Sequence, residues 1–285
     1  MAGAVVTPGF ARPRSELPWL PYWEQDRVII NAHNFTPAFN PAVNGKTPAE
    51  AYCPSRDTAG NGTTTLTGLV AGNNGTLTNM DPSTDWVDDT SAGGTKALDF
   101  DGSNDYVTVP HNSVLNPGSS AFSISCWIKP PNSNQFGPII QKRNSDGGIG
   151  QVYALAVAGD AFNQLVGKKV SMTLLWSGVS IVRSFRTADD VADGNWHHVV
   201  GIWTGSAIQI WVDGVNKSLV SEFSAGTPST AMSPSGAFRL GVNTTSSGSY
   251  YTGRQDDIRL FHGYQLDSAD IASLYASGVG RGVQV

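Results

Sequence analysis

Pairs of carboxylates are the first residues to look for in this sequence, because glycan hydrolysis needs two of them across one scissile bond. The 285-residue chain has four glutamates, Glu16, Glu24, Glu50 and Glu222, and Glu222 alone follows residue 50. The aspartates show no strand spacing that would place two of them across a cleft. The sequence therefore predicts a protein that is not an enzyme and that binds its ligand without cleaving it.

Two adjacent histidines, His197 and His198, are the next residues whose types could do chemistry, as metal ligands or as an acid–base pair. They lie in the run WHHVVGIW, which has the composition of a β-strand. Neighbouring residues of a strand point to opposite faces, so these two rings cannot bind one ion together. Both histidines are predicted to be structural.

Cysteine usage and charge exclude several classes of protein. Cys53 and Cys126 are too few for a disulfide framework or a metal cluster, and a single bridge and two separate buried thiols both fit the sequence. The formal net charge is −5 and no long basic run is present, which argues against a nucleic-acid partner. No segment reaches the ~18 apolar residues that a membrane-spanning helix needs, so membrane insertion is not expected.

From residue 96 onward the chain reads as short alternating strands separated by turns rich in Gly, Asn, Asp and Ser. Asp213-Gly214 between two valines is a strong hairpin signal, because this pair supplies the positive φ angles of a tight turn. One helix is predicted near 267–276, with Asp267 as N-cap and Gly278 past its end. The pattern predicts an all-β, two-sheet antiparallel sandwich with one short C-terminal helix.

The first 47 residues differ in composition from the rest and are predicted to be an extended anchoring arm ahead of a sandwich domain at 48–285. Proline fixes φ and removes a backbone donor, so a proline-rich segment is irregular. The aromatic residues of this arm need a surface, which is either its own sandwich or another protein. Trp19, Tyr22 and Trp23 are the predicted docking residues. The prolines that define the arm are Pro8, Pro13, Pro18, Pro21, Pro37, Pro41 and, at its boundary, Pro48.

Four stretches resemble the laminin G-like, concanavalin A-like jelly rolls. They are ALDFDGSNDYVTVP, FSISCWIKP, DGNWHHVVGIWTGSAIQIWVDGV and GRQDDIRLFHGYQLDSADIASLY. The preceding segment AYCPSRDTAGNGTTTLTGLVAGNNGTLTNMDPSTDWV resembles what precedes this domain in many phage and environmental bacterial relatives. The resemblance covers residues 48–280 and implies a jelly roll that contacts glycans or mediates adhesion. The Glu-x-Asp-x-x-Glu strand shared by glycosidases of this fold is absent.

The same resemblance implies a structural calcium ion. In the family, an aspartate of the closing strand helps to hold that ion, and Asp256 stands at the matching place. Asp99 and Asp101 are the candidate neighbours, since calcium takes several oxygen ligands. The alternative for a buried carboxylate is an ion pair with an arginine, or hydrogen bonds from the backbone.

Sugar binding would use an aromatic platform with amide and hydroxyl partners at one end of the sandwich. The segment 243–251 has this chemistry, with Asn243, Tyr250 and Tyr251 as candidate glycan ligands. Trp176, expected at a hairpin tip, and Arg143 are secondary candidates. The alternative is a solvated loop whose tyrosines pack on the rim.

Together these features favour a non-enzymatic bacteriophage virion protein, of decoration or fibre type. It would be made in the host cytoplasm, since the N-terminus lacks the pattern of a signal peptide. The arm would dock on other virion proteins of the capsid or tail, and the sandwich would face outward toward a surface polysaccharide. A homo-oligomer is compatible with this arrangement. The alternatives are an extracellular, bacterial surface or secreted glycan-binding module and a polysaccharide-acting enzyme.

Overall fold

The computed structural model describes residues 41–144, 150–160, 163–177, 181–228, 231–244, 249–276 and 280–281, and every structural statement concerns these ranges. They belong to one compact unit, residues 40–285. Its strands are β1 Glu50–Tyr52, β2 Thr65–Leu66, β3 Gly75–Thr78, β4 Trp86–Asp88, β5 Lys96–Asp101, β6 Tyr106–Val109, β7 Phe122–Lys129, β8 Gly137–Arg143, β9 Val152–Asp160, β10 Leu165–Ser177, β11 Ile181–Thr187, β12 His197–Trp203, β13 Ile208–Val212, β14 Val215–Asn216, β15 Leu219–Ala225, β16 Phe238–Leu240 and β17 Thr252–His262, followed by helix α1 Ser268–Tyr275.

The strands form two antiparallel sheets that pack as a sandwich. The eight-stranded sheet has the order β14-β13-β12-β7-β17-β5-β4, with β1 paired to β17. The nine-stranded sheet has the order β15-β11-β10-β9-β8-β16-β6-β3-β2. The predicted all-β sandwich with a short C-terminal helix is confirmed.

The core lies between the sheets and follows from the alternation of each strand. In β7, Ile124, Cys126 and Ile128 face the core, whereas Ser125 and Trp127 face away from it. Full burial of a large apolar side chain contributes roughly 1.5–3 kcal/mol, so this repeated alternation drives the two sheets together. Cys53 and Cys126 are both buried and both free, and burial raises the pKa of each thiol.

The predicted hairpin joins β13 to β14. Asp213 and Gly214 have φ angles of 51° and 76°, the positive values that a tight two-residue turn requires. The Asp213 carboxylate also accepts a hydrogen bond of 2.9 Å from the backbone N–H of His198. The turn is therefore anchored to the neighbouring strand.

Helix α1 begins at the predicted cap. The Asp267 carboxylate accepts hydrogen bonds from the backbone N–H groups of Ala269 and Asp270, and Asp270 reaches back to the N–H of Asp267. This capping box satisfies donors that the first turn leaves open. The helix ends at Tyr275, and its C-cap Ala276 has the left-handed conformation with a φ of 45°. The predicted C-cap Gly278 lies outside the described residues.

A second, smaller apolar cluster covers the outer face of the eight-stranded sheet. We call this the covered face. Helix α1 packs there together with the chain just before β1, which the sequence had assigned to the arm. The cluster consists of Val43, Val200, Ile202, Phe261, Leu266, Ile271 and Leu274.

Polar contacts hold the entering segment in place on the covered face. Lys46 forms an ion pair of 2.6 Å with Asp270, and the Asn44 side chain donates to the same carboxylate at 3.0 Å. Arg259 donates to the carbonyl of Pro41 at 3.0 Å. The last residues of the predicted arm, 41–47, therefore pack on the sandwich.

The predicted docking residues Trp19, Tyr22 and Trp23 lie outside the described residues. Among the helices of the described ranges, none is long and apolar enough to cross a membrane.

Candidate functional site

The candidate site is a groove on the outer face of the nine-stranded sheet, above β9. Tyr153 and Leu155 of this strand point into the core, so Ala154 and Ala156 point outward. Small outward side chains on a central strand leave a depression between the larger side chains of its neighbours. A cavity of about 140 Å³ opens there, with Val152, Ala154 and Ala156 on its floor. We call this the β9 groove.

The strand register places polar side chains on both walls of the β9 groove. Ala154 pairs with Gln141 of β8 on one side and with Thr173 of β10 on the other. Beyond each wall the polar row continues across the sheet. From one side to the other the row consists of Thr108, Arg239, Gln141, Ala154, Thr173 and Ser184.

The wall on the β10 side is a connected hydroxyl network. The hydroxyls of Thr173 and Ser184 are 2.7 Å apart, and Ser184 donates to the Glu222 carboxylate at 2.6 Å. Arg186 lies 3.9 Å from the same carboxylate, whose side chain is buried. Glu222 therefore orients hydroxyl groups and is itself charge-compensated.

The opposite wall offers an amide and a guanidinium group. Gln141 and Arg143 both line the cavity. The Gln141 Oε1 atom is buried and accepts no hydrogen bond from the described part of the chain. An apolar floor between amide and hydroxyl walls is the chemistry that suits a sugar ring.

The structure places the predicted glycan residues in three different environments. Arg143 and Asn243 both line the β9 groove. The Asn243 side chain also accepts hydrogen bonds from the backbone N–H groups of Thr244 and Ser249, at 2.7 and 2.9 Å, so it shapes its own loop. Residues 245–248 of that loop lie outside the described residues.

The two predicted tyrosines do not form one platform. Tyr250 is half-buried and lies beside Tyr106, with ring centroids 6.5 Å apart. Tyr251 is fully buried and packs edge-on against Phe100 in the core, at 6.0 Å. Its backbone N–H donates to the carbonyl of Gly241 at 2.8 Å.

Trp176 lies apart from the other predicted glycan residues. It stands near the end of β10, is 5% exposed, and contacts Trp203 with ring centroids 5.0 Å apart. Both indoles line a separate cavity of about 410 Å³ at one end of the sandwich.

Asp256, the predicted calcium ligand, is fully buried and has a different cation beside it. Arg281 donates to its Oδ2 atom at 3.0 Å, and Ser55 donates to both carboxylate oxygens. Burial and the neighbouring Asp257 raise the pKa of Asp256 to about 6, and Arg281 acts against that rise. Asp256 therefore forms an ion pair with an arginine, which is the alternative that the sequence left open for this carboxylate.

Asp99 and Asp101 have partners of their own. Asp99 pairs with Arg254 at 3.1 Å, and Asp101 accepts the backbone N–H of Ser103 at 2.7 Å. Asp99, Asp101 and Asp256 thus form no cluster around one point, and the described ranges hold no group of three His, Cys, Asp or Glu side chains able to bind a metal. Calcium binding stays a prediction, to be tested by thermal unfolding with and without a chelator.

The largest of these cavities, about 520 Å³, lies between β5 and the start of β17 and is rimmed by charged groups. Its Arg254 pairs with Asp89 at 2.7 Å and with Asp99 at 3.1 Å. Burial raises the pKa of Asp105, on the same rim, to about 6. Because these charged groups are already paired with each other, we interpret them as stabilising the fold rather than as binding a ligand.

The two adjacent histidines have separate partners. His198 is buried, contacts the Ser125 hydroxyl at 2.8 Å and stacks on Tyr275, and burial lowers its pKa to about 4. His197 lies between two carboxylates, 2.7 Å from Asp213 and 3.0 Å from Asp193. Burial lowers the pKa of His197, but its two carboxylate partners outweigh that and raise it.

We expect the His197→Gln variant to lose stability at acidic pH only. Because the pKa of His197 is raised in the folded state, the stabilising contribution of its charged ring is fully present below the unfolded-state pKa of 6.5. This contribution is lost as the pH rises through the folded-state pKa. The loss should be about 1 kcal/mol near pH 5, because both carboxylates are partly exposed. Urea unfolding of both proteins between pH 5 and pH 9 measures it. A difference that grows with pH would contradict the assignment.

The sequence of this chain matches the model of a known protein family. The family model described as the concanavalin A-like lectin/glucanases superfamily, of laminin G type, matches residues 101–272, more than half of the sequence. The chain belongs to this superfamily. The matched region runs from the end of β5 into α1, so it contains all three strands that build the β9 groove. A search of curated proteins found no match to this sequence.

Several solved structures share the fold of this chain. Domain 4 of AbnA, a GH43 extracellular arabinanase from Geobacillus stearothermophilus, aligns with a TM-score of 0.53 at 20% identity, covering 81% of this chain and 98% of that one. The botulinum neurotoxin serotype D binding domain aligns at 0.53 and 14%, over 84% and 51%. A Trypanosoma rangeli sialidase aligns at 0.54 and 13%, over 83% and 33%. The chain thus spans about half the length of the neurotoxin binding domain structure and about a third of the sialidase.

Most residues of the β9 groove were missed by the sequence analysis. The signal that could have found them is the run VYALAVA, in which Tyr153, Leu155 and Val157 alternate with small residues. A strand with large residues on one face and alanines on the other has one closely packed face and one hollow face. The partner strands, and so the walls, follow only from the fold.

Proposed function

We propose that this protein binds a glycan in the β9 groove and does not cleave it. The observation that carries the proposal is the trough of Ala154 and Ala156 between polar walls. Sugar rings present apolar C–H faces and a rim of hydroxyls, so they suit a flat apolar floor flanked by donors and acceptors. Gln141 lines one wall of the groove, and Thr173 of the other wall lies in a hydroxyl network.

The absence of suitable carboxylates supports binding without hydrolysis. Along the described part of the groove no aspartate or glutamate lines the cavity. The nearby Glu222 is buried and engaged by Ser184 and Arg186. Both hydrolytic mechanisms on glycans need a second carboxylate across the bond. An enzyme would release reducing ends from a polysaccharide, which we do not expect.

Named relatives of the same fold are consistent with the proposal. Domain 4 of the arabinanase was solved in complex with arabinotriose, and the neurotoxin domain is described as a binding domain. These ligands and roles belong to those proteins. The likeness supports glycan binding here only as a property that the fold can host.

Filling the groove tests the proposal. We expect Ala154→Trp to weaken glycan binding by at least about tenfold, because the indole would occupy the floor on which the sugar rests. Binding would be found first on a glycan array and then measured by calorimetry. The matched control is Ala272→Trp, at an exposed position of helix α1 on the covered face. Equal binding by both variants, with both folded, would refute the β9 groove as the site.

We further propose that the protein acts as a decoration or fibre-type adhesion protein of a bacteriophage virion. The support is in the sequence, namely the proline-rich aromatic arm and the resemblance of residues 51–87 to phage relatives. The test is deletion of residues 1–39, which retains the buried Val43. The shortened protein should fold and bind glycan but no longer sediment with particles. Glycan binding with no particle association in the full chain would favour the extracellular bacterial module instead.

A further inference from the structure

We infer that the β9 groove selects a free sugar hydroxyl that donates its proton to Thr173, and that it rejects a sugar whose hydroxyl at this point is sulfated, acetylated or methylated. The inference rests on the proposed function, because it requires a glycan in the groove. It adds the chemical form of the sugar that one wall accepts. It also assigns Ser184 and Glu222 as positioning residues behind Thr173.

The direction of the hydrogen bonds on the β10 wall follows from the number of protons available. Ser184 donates its hydroxyl proton to the Glu222 carboxylate at 2.6 Å. A serine hydroxyl has one proton to give and an ionised carboxylate has none, so this bond uses the proton of Ser184. The hydroxyls of Thr173 and Ser184 are 2.7 Å apart, and the distance alone would allow either to donate. Thr173 is therefore the donor to Ser184.

The surroundings of Glu222 and Ser184 keep this direction fixed. The Glu222 side chain is 1% exposed, and Arg186 lies 3.9 Å from the carboxylate oxygen that Ser184 does not contact. A cation beside a buried carboxyl group favours its ionised form, which only accepts hydrogen bonds. Ser184 is fully buried, so it cannot turn its proton toward solvent. The donors thus point one way, from Thr173 to Ser184 to Glu222.

Thr173 is the member of this relay that a ligand can meet. It is 8% exposed and lines the β9 groove. Because its proton is engaged by Ser184, its oxygen offers only lone pairs to the cavity. A ligand group that meets this oxygen has to be a hydrogen-bond donor. A ligand oxygen without a proton would lose its hydrogen bonds to water there and gain none from Thr173.

This requirement separates free sugar hydroxyls from substituted ones. A sulfate, acetyl or methyl group on the sugar oxygen removes the proton that Thr173 needs. It also adds bulk beside Ala154, which pairs with Thr173 across the two strands. The glycan is therefore expected to be unsubstituted on the side that faces β10.

The experiment uses the methyl glycosides of glucose, galactose and mannose as probes, with analogues in which one hydroxyl at a time is replaced by hydrogen or fluorine. Binding to the full chain is titrated by NMR. We expect one position of the best-binding sugar at which both replacements weaken binding roughly tenfold, since hydrogen makes no hydrogen bond and fluorine only accepts one. Thr173→Val should weaken the parent sugar by a similar factor and bind the deoxy analogue as the wild type does. The matched control is Thr108→Val, in the same polar row but outside the lining, which should bind as the wild type does.

Ser184→Ala tests the direction of the relay. Without Ser184 as its acceptor, the Thr173 proton is free to turn toward the groove. The fluoro analogue should then bind this variant about threefold more tightly than it binds the wild type, whereas the deoxy analogue should gain nothing. Glu222→Gln should shift the same ratio in the same direction, because an amide can donate to Ser184 and allows the relay to reverse. General damage to the groove would weaken all analogues together and leave their ratio unchanged.

Ala154→Trp separates this inference from the proposed function. If it removes sugar binding while Thr173→Val leaves binding unchanged, a glycan occupies the groove and the inference fails. If Ala154→Trp leaves binding unchanged, the sugar binds elsewhere, and both the proposed function and the inference fail. If none of the probes binds the wild type, the inference is overturned, whereas the glycan array still decides the proposed function. An unchanged ratio of fluoro to deoxy binding in folded Ser184→Ala and Glu222→Gln proteins would also overturn it.

Discussion

Replacing Arg281 with methionine is expected to lower the free energy of unfolding by about 3–5 kcal/mol, because it leaves a buried carboxylate without its cation. The Arg281 side chain is fully buried and lies 4.2 Å above the ring of Trp196. Its guanidinium donates to Asp256 at 3.0 Å and to the carbonyls of Lys96 and Ser91 at 2.7 and 2.8 Å. Methionine fills part of the volume and makes none of these bonds.

The pH dependence of this loss identifies its cause. The pKa of Asp256 is already raised to about 6 by burial and by Asp257, and removing Arg281 raises it further. A carboxyl group whose pKa is raised in the folded state does not lower the free energy of unfolding at a pH below its unfolded-state pKa of about 4. It lowers the free energy of unfolding as the pH rises from there through the folded-state pKa. The deficit of Arg281→Met should therefore be larger at pH 8 than at pH 5 in urea unfolding.

A second substitution serves as the control for Arg281. Combining Arg281→Met with Asp256→Asn removes the titrating group, so the extra loss between pH 5 and pH 8 should disappear even if the protein remains less stable. A single Arg281→Met variant that matches the wild type at pH 8 would show that the ion pair adds nothing to stability.

Replacing Glu50 with alanine is expected to cost about 3–5 kcal/mol, because several backbone and side-chain donors lose the same buried carboxylate acceptor at once. The Glu50 side chain is fully buried at the start of β1. Its carboxylate accepts the backbone N–H groups of Val70 and Asn73, both at 2.9 Å, and of Ala71 at 3.2 Å. It also accepts the Asn73 side-chain amide at 2.9 Å. One carboxylate thus holds residues 70–73 of the loop between β2 and β3.

Amide hydrogen exchange gives this prediction a local readout. The amides of Val70 and Asn73 should exchange faster in Glu50→Ala, beyond the effect of lower global stability. Glu50→Gln retains one acceptor oxygen and should lie between the wild type and alanine in both measurements. Unchanged protection of these amides in Glu50→Ala would mean that the loop is held by other contacts.

The parts of the fold that the sequence could predict are those with a local signal. Alternation in FSISCWIK, the Asp213-Gly214 turn and the Asp267 cap depend on residues a few positions apart, and all three are confirmed. The Asp256–Arg281 ion pair joins β17 to the chain after α1, and no local sequence pattern around either residue predicts its partner. The same is true of Glu50, whose partners lie some twenty residues away.

The candidate site shows the same limit. Arg143 and Asn243 were chosen for their chemistry, and both line the β9 groove. Trp176 and Tyr251 were chosen on the same ground, but their side chains point into the sandwich because of strand parity and loop register. A residue type tells what a side chain can do, whereas the face on which it lies depends on pairings across the sheet.

The packing of residues 41–46 gives the sandwich a back and a front. The chain enters on the covered face, where Val43 is buried and Lys46 meets Asp270, and the β9 groove opens on the other sheet. Anything that holds the protein by the residues before Pro41 is thus joined to its back. Many copies held that way on one support would present their grooves in a common direction. Sugar contacts too weak to persist singly could then combine through avidity on a repetitive polysaccharide, without any change in the groove itself.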